Sequence, residues 1–194
     1  MKNFDEDQFL ITRHKLCRRH FLKLGMFALG TCIISEPAIS AAHSLLSPER
    51  VLYLYNAHTG ETLKTVYWRE GEYVTQSLAD INYILRDHYT NKTKPIDKRL
   101  LDLLYAISRR LNTHKPLHII SGYRAPSTNT YLRKYYGGVS KTSLHLYGKA
   151  ADISLPGYRL SALRRAAINL KGGGVGYYPR KNFVHVDIGR IRYW

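Results

Sequence analysis

The chain has 194 residues, 30 Lys+Arg against 14 Asp+Glu, and is 44% hydrophobic and 12% aromatic, which suits one globular domain with a short extension and excludes wholesale disorder. Its longest apolar run, Leu24 to Ile34, is shorter than the about 20 residues of a membrane-spanning helix, and two cysteines are too few for a disulfide-rich miniature. A net charge of +16 leaves anionic partners open: nucleic acid, a lipid surface or a cell-wall polymer.

In chain order, the first segment reads as an address. Cys17-Arg18-Arg19-His20-Phe21-Leu22-Lys23 runs into the apolar stretch Leu24 to Ile34, and small residues follow at Ala38, Ser40, Ala41 and Ala42. This resembles a twin-arginine export signal over residues 1–42, with Cys17 where a serine is usual and cleavage after Ser40 or Ala42. The alternative is a basic amphipathic start to a cytosolic domain. A lipoprotein reading through Cys32 is disfavoured by Thr31 before it. Removing residues 1–42 leaves 24 Lys+Arg against 10 Asp+Glu, a net charge of +14, and no cysteine. Residues 43–194 are then expected in the periplasm as one domain, without disulfides or thiolate metal ligands.

Within that domain, Val51-Leu52-Tyr53-Leu54-Tyr55 and Glu61 to Trp68 are β-rich runs around Asn56-Ala57-His58-Thr59-Gly60, the pattern of a hairpin. Residues 72–90 place Leu78, Ile81, Leu85 and Tyr89 on one helical face, and Pro95 ends that segment. Asp97 is placed to cap a second helix whose inward face is Leu100, Leu103, Leu104, Ile107 and Leu111. Leu117 to Ile120 reads as a buried strand that ends at Ser121-Gly122-Tyr123-Arg124. Pro126 to Tyr136 predicts a helix closed by Gly137-Gly138, Ala150 to Leu155 a strand, and Leu160 to Leu170 a helix stopped at Gly172-Gly173-Gly174. Strands near Val175 to Tyr178 and Phe183 to Ile188 end the fold. Helices and strands mix without regular alternation, so the expected class is α+β: a central, mainly antiparallel sheet with flanking helices.

Three residues carry the chemistry. His145 precedes Asp152 by six intervening residues, and His185 follows in Val184-His185-Val186-Asp187. Two imidazoles and a carboxylate meet the three-ligand count of a catalytic zinc site that leaves a position for water. Gly148 lets the chain turn between the first two. On a strand from Phe183 to Ile188, His185, Asp187 and Phe183 share one face while Val184, Val186 and Ile188 face the core. Each residue alone has a blander reading: a histidine beside a strand is most often structural, and Arg124 reads equally as a salt-bridge partner. Asp152 inside an apolar strand demands a partner, whether metal, arginine or backbone donors.

Taken together, Ser121-Gly122-Tyr123-Arg124, Ser143-x-His145 with six residues to Asp152, and His185-x-Asp187 resemble the zinc peptidase family M15. The Gly172-Gly173-Gly174-Val175-Gly176-Tyr177-Tyr178-Pro179 run, leading into Asn182-Phe183-Val184-His185-Val186-Asp187 with Trp194 beyond, resembles its murein endopeptidase K branch over residues 51–194. The resemblance implies a D-Ala-D-Ala peptidase/Hedgehog-type fold and one Zn2+ per chain, held by His145, Asp152 and His185. It further implies Arg124 as substrate anchor and charge stabiliser, and Ser143 as a substrate-pocket hydrogen-bonding residue. Its substrate would be peptidoglycan cross-links, between two meso-diaminopimelates or between D-alanine and meso-diaminopimelate. Export would run through the twin-arginine machinery, and no nucleic-acid partner is expected.

The general base departs from the family pattern. Other branches place an acidic residue three before the last ligand or a histidine two before it; here those positions are Asn182 and Phe183. Asp187 is the nearest acidic residue, either a base acting through a water or a carboxylate that orients His185, and the second is favoured. His118 is a further candidate base. Two rival readings remain: a non-catalytic zinc-containing module that binds cell wall, and a basic polyanion binder with stacking tyrosines.

Overall fold

The computed structural model describes residues 49–136 and 138–194. The segment read as an export signal, with its cysteines and expected cleavage site, and Gly137 lie outside the described residues. Among the described residues no helix is long and apolar enough to cross a membrane.

The hairpin forms as expected from strands β1 (Arg50–Asn56) and β2 (Thr62–Arg69), in antiparallel register with Leu54 opposite Leu63. A short strand β3 (Glu72–Tyr73) then folds back on β2. Glu70 and Gly71 both hold positive φ, 54° and 87°, the backbone of a two-residue hairpin turn. Helix α1 (Thr75–Ile84) follows. It is shorter than the helix expected over residues 72–90, and Tyr89 lies beyond its end, 58% exposed rather than on the buried face. The helix stops because Asp87 offers the backbone an alternative: its Oδ1 accepts from the N–H groups of Tyr89 and Thr90, both at 2.9 Å.

Helix α2 (Lys98–Arg110) begins where expected, with the Asp97 side chain accepting from Arg99 N–H. Its Leu100, Leu101, Leu103, Leu104 and Ile107 are buried, the apolar stripe of an amphipathic helix. Then come β4 (Leu117–Ser121), α3 (Pro126–Tyr136), a 3₁₀ turn (Leu144–Tyr147) and β5 (Ala150–Ser154). The chain ends in α4 (Leu160–Leu170), β6 (Gly174–Tyr178), a second 3₁₀ turn (Pro179–Lys181), β7 (Phe183–Asp187) and a short β8 (Arg192–Tyr193).

All strands join one eight-stranded sheet in the order β3-β2-β1-β4-β5-β7-β6-β8, antiparallel except for the pairs β1/β4 and β6/β8. The α+β class with a mainly antiparallel sheet is therefore the one observed. Helix α1 packs on β1 and β2, α2 on β1 and α4, and α4 on β6 and β7. Between these helices and the sheet lies a core that includes Leu52, Leu54, Ile81, Leu104, Ile119, Ile153, Val184 and Val186. Burial of this continuous apolar cluster is the main stabilising term. Strand β5, near the middle of the sheet, is buried at all five positions. Its alternation puts Ala151 and Ile153 toward the core and turns Asp152 to the other face.

Candidate metal centre and cleft

Sheet register assembles the site. Ser121 on β4 pairs with Asp152 on β5, Asp152 pairs with His185 on β7, and His185 pairs with Gly176 on β6. These residues form one row across four neighbouring strands. His145 reaches the row from the 3₁₀ turn that precedes β5, where Gly148 at φ 63° turns the chain into the strand.

Three links tie these groups. His145 Nε2 lies 3.2 Å from His185 Nδ1 and 3.4 Å from Asp152 Oδ1, and His185 Nδ1 lies 2.9 Å from Asp152 Oδ1. Each residue's candidate ligand atom lies within 4.8 Å of the others, so the three could hold a metal ion. Ligands about 2.0–2.1 Å from a tetrahedral zinc stand about 3.3 Å apart, close to the observed spacing. The outer ring nitrogens complete the fit. His145 Nδ1 donates to the Gly122 carbonyl at 2.7 Å, and His185 Nε2 donates to Asp187 Oδ2 at 3.0 Å. Each imidazole therefore has an acceptor on one nitrogen and presents the other to its two partners, the arrangement that metal-binding histidines adopt.

Electrostatics agree with that division. His145 is buried, and burial pushes its pKa down. Burial also opposes charge on His185, but its hydrogen bonds to the Asp152 and Asp187 carboxylates outweigh it and raise the pKa to about 9. Burial alone would raise Asp152, yet the two histidines hold it well below the usual carboxylate range. Asp187 is fully buried and likewise held low, by His185, Arg192 and backbone donors against the cost of burial.

Asp187 has no free edge. Its Oδ1 accepts from Gly174 N–H, Gly189 N–H and Arg192 Nη1, and its Oδ2 from His185 Nε2 and Arg192 Nη2 at 2.7 Å. A side chain at Gly174 would collide with both Asp187 and Arg192, which accounts for one member of the glycine run.

His145, Asp152 and His185 line one wall of a cleft of about 900 Å³. Arg124 enters it with Nη2 3.6 Å from Asp152 Oδ2 and 3.3 Å from Ser121 Oγ, and burial lowers its pKa against the pull of Asp152. Ser143 also lines the cleft and begins the turn that carries His145. Of the positions where a base was sought, Asn182 sits in a left-handed turn at φ 54°, and Phe183 stacks on Tyr178 in the cleft wall. His118 packs against Tyr55 and stands outside the cleft lining. Asp152 is the one carboxylate among the lining residues.

Two other cleft residues carried no sequence signal. His58 and His88 stack face to face with centroids 3.7 Å apart at one end. Trp194 covers His185 with centroids 5.4 Å apart and is fixed by Nε1 donating to Tyr178 Oη at 2.8 Å. His58 sits in a hairpin loop and His88 in a turn, where sequence spacing says nothing about their meeting.

A family model described as peptidoglycan L,D-endopeptidase MepK matches residues 45–194. The peptidoglycan L,D-endopeptidase MepK of Escherichia coli K12 is 45% identical over 178 residues, covering 91% of this chain and 96% of that protein. The Shigella flexneri protein of the same name shows the same identity and coverage. A Haemophilus influenzae protein named probable peptidoglycan L,D-endopeptidase MepK is 36% identical, over 91% of this chain and 95% of its own length. On the match across the whole folded region and this level of identity, the chain belongs to the M15 peptidase family, in its MepK branch.

Proposed function

We propose that this chain is a periplasmic murein endopeptidase, exported by the twin-arginine route, that hydrolyses cross-links between stem peptides. The observation that carries the proposal is the His145-Asp152-His185 group, its first two members buried and His185 partly so, each imidazole oriented by an acceptor on its outer nitrogen, at the wall of a cleft that also holds Arg124. These three residues would hold one zinc ion. When bound there, zinc would supply Lewis-acid polarisation of the scissile carbonyl and a lowered pKa for water.

The chain's own residues do the rest. Arg124, partly buried beside Asp152, presents a guanidinium that anchors a substrate carboxylate or meets charge developing on the carbonyl oxygen. Ser143 offers a hydroxyl on the same wall. Asp187 keeps His185 in one tautomer and orientation and takes no proton, because all its acceptor edges are occupied within the fold. Hydrolysis adds hydroxyl to the carbonyl carbon, breaks the C–N bond and leaves the proton on the departing amine.

The L,D designation of the relatives favours one cross-link. A bond between two meso-diaminopimelates joins an L centre to a D centre, whereas one between D-alanine and meso-diaminopimelate joins two D centres. The first is the proposed substrate. The test is digestion of intact sacculi by the zinc-supplied chain, beside His145→Ala and a chelated sample. Loss of diaminopimelate-to-diaminopimelate dimers with the wild-type chain alone is expected. Loss of D-alanyl dimers instead would overturn the bond assignment. One observation favours a second reading: the cleft lining offers no second carboxylate for proton transfer. Zinc bound and murein retained with no fragments released would assign the chain as a non-catalytic wall-binding module.

A further inference from the structure

Helix α3 contributes little to the core, since its buried residues are the polar Thr128 and Asn129. Its outer positions carry Tyr131, Arg133, Lys134, Tyr135 and Tyr136, all exposed. Tyr131 and Tyr135, one helical turn apart, meet with ring centroids 4.8 Å apart, and Tyr136 lies 6.2 Å from Tyr131. Tyr89 arrives from the turn after α1 and stands 6.3 Å from Tyr131 on its other side. The four rings are 46–63% exposed and form one surface. Aromatic rings gathered in this way, unlike rings scattered singly, mark a place that meets a partner.

The surface continues the cleft, because Tyr89 and Tyr136 belong to both. Helix α3 contains no acidic residue, and the charges interleaved with its rings are Arg133 and Lys134, with Lys134 Nζ 5.1 Å from the Tyr135 ring centroid. We infer that this aromatic surface holds the glycan strand of the polymer whose stem peptide occupies the cleft, an inference that rests on the murein reading above. A stem peptide hangs from its sugar, so a chain with the peptide in the cleft has its glycan beside the cleft mouth, where the tyrosines stand. The pyranose rings of N-acetylhexosamines present C–H faces that lie flat on phenol rings. Their hydroxyl and acetamido groups meet phenol hydroxyls at the ring edges. Arg133 and Lys134 match the carboxylates of neighbouring stems. A second copy of this chain is a poorer occupant, since a two-fold contact would bring the same cations face to face.

The test uses the full chain and glycan strands stripped of peptide by an amidase, with zinc chelated so that retention is read apart from hydrolysis. Tyr131→Ser/Tyr135→Ser removes two exposed rings that do not line the cleft, and a melting curve confirms that it folds. The wild-type chain is expected to be retained, and the double variant to lose about tenfold in affinity. With zinc restored, its cleavage of intact sacculi relative to glycan-free cross-linked peptides should fall by a similar factor. Equal retention of both forms overturns the glycan surface. So does a wild-type dimer that the double variant dissolves without change in retention. Glycan retention that depends on the tyrosines, from a chain that cuts no murein, supports the surface and overturns the endopeptidase reading alone.

Discussion

Whether Asp187 moves a proton or fixes a ring comes down to lone pairs. Five donors converge on its two oxygens, and the residue has no exposed surface. No water in the cleft can reach it, so its influence on chemistry passes through His185. Asp187→Asn keeps the shape but loses the charge, and an amide nitrogen turned toward Arg192 would repel it. The expected result is zinc affinity weakened about 10–100-fold, with most of the turnover recovered once zinc is saturating. Unchanged zinc affinity with turnover down several hundredfold would instead make Asp187 the base. Strand alternation already places His185 and Asp187 on one face in the sequence. The Arg192 clamp was not legible there, because it depends on how the bend at Ile188 to Ile191 returns a long side chain.

At the scale of elements, regular segments were legible and their junctions less so. The β1–β2 hairpin, α2 with its Asp97 cap, and α3 and α4 at both ends follow from periodicity and capping chemistry. The end of α1 did not, since Tyr89 continues the apolar spacing while Asp87 captures the backbone first. That carboxylate also ties two elements together: its Oδ2 accepts from Ala125 N–H at 2.7 Å, just before α3 and next to Arg124. Burial opposes its charge, but these backbone donors win and hold its pKa low. A carboxylate depressed in the folded state contributes stability above its unfolded pKa of about 4, and the contribution disappears as pH falls through the folded value. Asp87→Asn should therefore cost about 2 kcal/mol at pH 7, and the gap to wild type should close as melting is followed below about pH 4. A gap independent of pH would remove the carboxylate from this role.

Over the whole molecule, the candidate metal-site residues come from a 3₁₀ turn and two adjacent strands, and the sheet register aligns them. The sequence order His145, Asp152, His185 made the candidate ligand types readable. Their approach to a few ångströms was readable only through the resemblance, because β-strand pairing across 33 residues is not encoded in local spacing. An ion there would cross-link these segments, so its binding is linked to global stability and to pH. Without metal, His185 has its pKa raised to about 9, so its proton stabilises the folded chain fully below the unfolded value of about 6.5. That contribution fades as pH rises through 9. Zinc needs the neutral ring, so its binding expels this proton, and affinity should climb about tenfold per pH unit from pH 7 toward 9. The melting temperature of the chelated protein should then fall over that range, while the margin added by a fixed free zinc concentration widens by about 1.4 kcal/mol per pH unit. Melting curves with zinc buffer and with chelator, at pH 7, 8 and 9, read both slopes. A zinc margin constant across that range would mean that the proton on His185 and the metal do not compete, and His185 would leave the ligand set.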